Sequence, residues 1–245
     1  MQILTTQDRI LTLPGGSFQI VSKAAGVAAA FAPSDIAGLK LWLKADAITG
    51  LVDGDPIATW TDQSGSGNNA VQATGTKQPL YKTAIKNGLP IVRFDGTDDI
   101  LQTPVLFSSG NVTGFVVAQN RTNVGTYRPL LAALPLRGLT WFNNHMMLNI
   151  DASINSTSAF STMVFYTFSF IYVASGVSTL GQNGSLVTGN AGTTPITTAW
   201  DIGGTSAYNW FRTWDVAEVI VYDFAISDAN RISVENYLNT KWAVY

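Results

Sequence analysis

The sequence predicts an all-β protein, an antiparallel sandwich of two sheets. Three observations predict it. Short runs of β-branched and aromatic residues recur along the chain, separated by Gly, Asn, Asp, Ser and Pro turns. The longest run, Met163 to Ala174, alternates so that Tyr166, Phe168, Phe170 and Tyr172 share one face. The chain holds no cysteine, so stability rests on an apolar core, for which 245 residues suffice.

The elements follow in order. Residues 1–33 form an arm. Arg9-Ile-Leu-Thr-Leu reads as a strand, Pro14-Gly15-Gly16 as a turn, and Ser17-Phe-Gln-Ile-Val as a second, edge-like strand. An Ala/Gly-rich joint at 24–30 leads to Pro33. The arm carries too little apolar volume to fold alone. One expectation makes it a docking arm that reaches a partner through Phe18, Ile20 and Val21; the other makes it an extra hairpin of the sandwich. Residues 34–245 form the sandwich domain. Its strands are expected at 39–43, 57–61, 90–94, 113–119, 138–142, 162–174, 184–187 and 215–223. Ser227 then caps a short helix in which Val234, Tyr237, Leu238 and Trp242 recur at helical spacing.

Four segments carry a family resemblance. They are Gly38-Leu-Lys-Leu-Trp-Leu-Lys-Ala-Asp46, Trp60-Thr-Asp-Gln-Ser-Gly-Ser-Gly-Asn-Asn-Ala70, Pro90-Ile-Val-Arg-Phe-Asp-Gly-Thr-Asp-Asp99, and the ending from Trp214 to Trp242. In this order they resemble the concanavalin-A-like lectin/glucanase (laminin-G-like) jelly roll, in the form found in bacteriophage virion structural proteins. The resemblance implies a jelly-roll sandwich with a C-terminal helix. It also implies a non-enzymatic virion protein: a capsid decoration or a tail/baseplate component, oligomeric in the particle and held to other virion proteins by the arm. A carbohydrate-binding host-recognition protein is the alternative, and a glycan hydrolase or lyase the second alternative.

Composition narrows the partners. Charged residues are sparse at 12% and the net charge is −2, which argues against a nucleic-acid partner. Lys77, Lys82 and Lys86 read as a solvated loop. No apolar run reaches the ~20 residues that cross a bilayer, and Asp8 and Arg9 interrupt the stretch where a signal peptide would be apolar. The expectation is therefore no membrane partner and no signal peptide.

Catalytic constellations are hard to assemble. A retaining glucanase sets two carboxylates about 5 Å apart, but the two glutamates, Glu218 and Glu235, lie on the last strand and the helix, and alternation puts Asp215 and Asp223 opposite Glu218. His145 is the single histidine and has no evident orienting partner, so no Ser or Cys triad is available. These absences set the expectation of no enzyme. Glu218 shares a strand face with Val216, Ile220 and Tyr222, so it must be hydrogen-bonded or functional.

Binding residues are easier to nominate. Trp210, Arg212 and Trp214 lie beyond the Gly203-Gly204 turn and offer planes for sugar stacking. Host-surface glycans are the ligand class this suggests. Asp95, Asp98 and Asp99 supply hard oxygens for calcium, though acidic turns need no metal to explain them. No other cofactor is expected.

Overall fold

The computed structural model describes residues 8–12, 18–22, 30–106, 110–122, 127–133, 136–156 and 158–245. The chain divides into two units, Met1–Phe31 and Ala32–Tyr245. In the first, β1 (Asp8–Thr12) pairs antiparallel with β2 (Phe18–Ser22), with Ile10 opposite Ile20. The surroundings of the Phe18, Ile20 and Val21 side chains lie outside the described residues, as do residues 24–29 of the joint expected at 24–30.

The second unit holds the remaining strands. They are β3 (Leu39–Lys44), β4 (Thr59–Trp60), β5 (Ala70–Val71), β6 (Leu80–Lys86), β7 (Leu89–Arg93) and β8 (Leu101–Val105). After these come β9 (Val112–Asn120), β10 (Arg128–Ala133), β11 (Arg137–Phe142), β12 (His145–Asn149), β13 (Ser153–Asn155) and β14 (Phe165–Tyr172). The last are β15 (Ser178–Gln182), β16 (Ser185–Gly189), β17 (Ala199–Ile202), β18 (Gly204–Thr205), β19 (Trp210–Phe211) and β20 (Trp214–Tyr222), then helix α1 (Asp228–Trp242).

Two antiparallel sheets make a sandwich. One runs β13-β12-β11-β10-β17-β8-β5-β4. The other runs β16-β15-β14-β9-β20-β7-β6, with β3 also on β20. Between them Phe168, Phe170, Tyr172, Trp200, Trp214 and Val219 pack into one core. The aromatic face expected of the longest strand is thus the inner face of the second sheet.

The quoted loops fold for local reasons. Asp62 accepts backbone N–H from Trp42, Ser64 and Asn68, each at 2.9 Å, and so ties the first hairpin loop to β3. Asn183 and Gly184, at φ 48° and 78°, make the tight turn between β15 and β16. Ser227 caps α1 by accepting from Asn230 N at 3.3 Å, and Val234, Leu238 and Trp242 are fully buried.

Two expectations need correction. Lys82 and Lys86 belong to edge strand β6 rather than to a loop; lysine on an edge discourages pairing with another chain. A register shift in β20 between Val216 and Glu218 also breaks simple alternation. Val216 joins the core, whereas Asp215 and Glu218, opposite Gln119 and Val117, face outward together. A bulge reassigns faces in this way because it inserts one unpaired residue.

Candidate functional site

The outward face of β20 carries Glu218, and α1 covers it. Its carboxylate accepts from Trp42 Nε1 (2.6 Å), Tyr237 Oη (2.9 Å), Lys241 Nζ (2.7 Å) and Trp242 Nε1 (2.8 Å). Four donors saturate its lone pairs, and the residue has no solvent exposure. Glu218 therefore fixes the helix to the sheet. Asp215 plays a similar part nearby. Arg93 binds it through Nε and Nη2 at 2.8 and 2.9 Å, Arg121 Nε stands at 3.1 Å, and Gln119 donates at 2.7 Å.

A different surface has open chemistry. A cleft of about 480 Å³ lies where β5, β8 and β17 meet the β18–β19 hairpin. Gln72, Asp98, Gln102, Asp201 and Asn209 line it with planar polar groups, Lys77 stands at its edge, and Phe211 supplies an apolar wall. Strand pairing places these groups: Gln102 is in register with both Val71 and Asp201. Asp201 is buried and accepts from Gln102 Nε2 (2.8 Å) and from Ser206 N and Oγ (each 2.9 Å). Gln102 and Asp201 are thus held in fixed orientations. The hairpin wall is set by Gly203, whose φ is 89° and where a Cβ would stand 2.2 Å from the Phe94 ring.

The nominated sugar-stacking residues separate here. Trp214 is fully buried in the core, its Nε1 donating to Pro129 O at 3.1 Å. Arg212 is also buried. It lies 3.6 Å over the Trp141 ring and donates to Thr122 O. Burial lowers its pKa to about 10, and the charge of Arg128 adds to the effect. Only Trp210 reaches the surface. It stacks on Tyr208 (5.0 Å between centroids, 28°) and on Tyr127 (6.4 Å, 22°), and Tyr127 stacks on Phe142 (4.3 Å, 21°). Tyr208 caps this column at the hairpin tip and is 47% exposed. Composition alone gave no reason to single out Tyr208, Gln102 or Asp201; the signal was the polar-aromatic run Ser206-Ala-Tyr-Asn-Trp beyond the glycine turn.

Asp95, Asp98 and Asp99 do converge, each offering a carboxylate oxygen within 4.8 Å of the others. Asp95 Oδ1 accepts Thr97 N at 2.7 Å, and Asp99 Oδ2 accepts Asp95 N at 2.9 Å. Burial pushes the Asp99 carboxyl up to about 7; the hydrogen bond from Asp95 N opposes this, and the charges of Asp95 and Asp98 reinforce it. Crowded carboxylates of this kind fit a hard divalent cation, which would relieve their mutual repulsion. Asp98 links the cluster to the cleft. His145 opens β12, on the other side of the aromatic column, with Nδ1 2.9 Å from Ser156 O. Among the described residues no helix is long and apolar enough to cross a membrane.

No family model and no curated protein sequence matches the chain. Solved structures do. A Trypanosoma rangeli sialidase in complex with sialic acid superposes at a TM-score of 0.62 with 17% identity, over 84% of this chain and 33% of the sialidase. The binding domain of Paraclostridial Mosquitocidal Protein 1 matches at 0.59 with 13% identity, over 86% of this chain and 53% of that one. The receptor binding domain of botulinum neurotoxin D matches at 0.59 with 11% identity, over 85% and 55%. The chain thus spans about a third of the length of the sialidases it matches. The expectation of a non-enzymatic virion structural protein is overturned by these likenesses, which run to glycosidases and toxin binding domains and carry no phage link. At such identities the shared property is the fold, a two-sheet antiparallel β-sandwich, which is consistent with the expected jelly roll.

Proposed function

We propose that the sandwich is a carbohydrate-recognition domain, binding a glycan in the cleft between β5, β8, β17 and the β18–β19 hairpin. The observation that carries this reading is the cleft's lining. The amides of Gln72 and Gln102, held by their own hydrogen bonds, stand with Asp98 and Asn209 around the cleft, and Phe211 with the Tyr208–Trp210 stack offers apolar surface beside them. A sugar ring has the same division, with polar edges and an apolar face, so both parts find partners. Asp98 is part-exposed at the cleft, where its carboxylate can accept from hydroxyls, and its charge with that of the buried Asp201 disfavours an anion, which favours a neutral glycan. Glycans of a host surface are the natural source. The likeness to a sialidase held in complex with sialic acid, and to a toxin domain that binds a receptor, supports a recognition role for the fold.

The test is a glycan array followed by titration of Gln102→Ala and Tyr208→Ala. Both side chains are exposed, so both variants should fold. Loss of binding on each supports the cleft; unchanged binding on both rejects it. A second reading, glycan hydrolysis, is favoured by the part-exposed Asp98 carboxylate at the cleft and by the likeness to sialidases. It predicts new reducing ends from the bound glycan, lost on Asp98→Asn. Calcium at Asp95, Asp98 and Asp99 is the cofactor this site would take, and a calcium-dependent rise in melting temperature, absent in Asp98→Asn, would register it. The β1–β2 hairpin is proposed to join the domain to a partner chain, since a lone two-stranded hairpin is marginal in water.

A further inference from the structure

A second cleft, of about 260 Å³, lies at the far end of the aromatic column. Phe142, Asn143, His145, Asn155 and Ser156 line it. We infer that this is a second sugar subsite, so that the domain binds an extended neutral oligosaccharide, one part in each cleft and the middle across the aromatic column. The inference rests on the first cleft being a glycan site.

Three features point to a sugar here. Phe142 has one ring neighbour in the column, Tyr127, and borders the cleft as well. It therefore offers apolar surface where a pyranose face would lie. Asn143 and Asn155 add amides, which donate and accept at once and suit vicinal hydroxyls. His145 has a defined polarity. Ser156 O can only accept, so Nδ1 must carry the proton in the contact between them. In the neutral imidazole Nε2 is then an acceptor for a hydroxyl. The two clefts are also physically linked. Tyr208, Trp210, Tyr127 and Phe142 form a half-buried strip of near-parallel rings between them, and Asn209 and Phe211, the neighbours of Trp210, line the first cleft. A ligand long enough to fill both gains from the high effective concentration of its second half.

The experiment uses the full chain and malto-, cello- and chito-oligosaccharides of one to six residues, by isothermal titration calorimetry. For the series that binds, affinity should rise on the order of tenfold or more between the shortest and longest members. Phe142→Ala and His145→Ala should remove that rise and leave the affinity for the shortest member within about twofold. Should Phe142→Ala fail to fold, His145→Ala and Asn155→Ala carry the test. An affinity that is flat with length, or a rise that survives His145→Ala and Asn155→Ala, overturns the second subsite while leaving the first intact. If Gln102→Ala and Tyr208→Ala leave the shortest member's binding unchanged, the first-cleft reading fails and this one with it. Absence of binding by all three series overturns the inference.

Discussion

Glu218 and Asp99 are both buried acids, and they sit in opposite circumstances. Glu218 lies under α1 with four donors from Trp42, Tyr237, Lys241 and Trp242. Asp99 lies in a tight loop with one backbone donor, Asp95 N, and two like-charged neighbours. The first carboxylate is a structural rivet. The second is electrostatically unfavourable as an anion and sits beside an open cleft. Burial alone therefore does not mark a functional acid; the balance of donors and like charges does.

The largest expected effect comes from breaking the rivet. Glu218→Ala leaves two indole N–H groups and the Tyr237 hydroxyl without their acceptor at the helix–sheet contact, and leaves Lys241 with Asp46 as its remaining carboxylate partner. It should cost about 3–5 kcal/mol, seen as a fall in melting temperature on the order of 10 °C. A change under about 1 kcal/mol would show that the network is dispensable.

Asp99 should behave oppositely. Its folded pKa of about 7 lies above the 3.8 of an ordinary aspartate, so the folded state binds the proton more tightly. Stability from this group is greatest below about pH 4, declines as pH rises toward 7, and is level above that. Asp99→Asn should flatten that decline and raise stability at pH 8 by roughly 1–2 kcal/mol. Denaturant melts across that pH range measure both. A variant less stable than wild type at pH 8 would mean that the charge is wanted, as it would be with calcium bound.

Tyr208→Ala sharpens the contrast between rivet and cleft. The side chain is exposed and stacks only on Trp210 among the described rings, so folding should be unaffected within about 0.5 kcal/mol. Glycan affinity should fall by roughly 0.5–1.5 kcal/mol, the worth of an aromatic contact.

The smallest effect on stability belongs to removal of residues 1–31. If the hairpin is a docking arm, the melting temperature of residues 32–245 stays within a few degrees and association with partner chains is lost. A sharp fall would make the hairpin part of the sandwich.

Local chemistry in the sequence determined the sandwich class, the capped helix, the inward face of Phe168, Phe170 and Tyr172, and the turns at Asp62 and Asn183-Gly184. Each depends on residues adjacent in the chain, so period and turn preference suffice. The edge strand β6 was hidden because Lys82 and Lys86 look like loop residues in a sequence, and the left-handed Ala84 (φ 54°) that interrupts its pairing has no sequence signal. The bulge in β20 was hidden because register depends on the neighbouring strand. Only the tertiary structure decided which tryptophans meet solvent: Trp214 and Arg212 went to the interior, and Tyr208 capped Trp210 at the surface. The cleft too was a tertiary product. Gln102 and Asp201 are 99 positions apart in the chain, and only antiparallel pairing of β8 with β17 brings them within 2.8 Å.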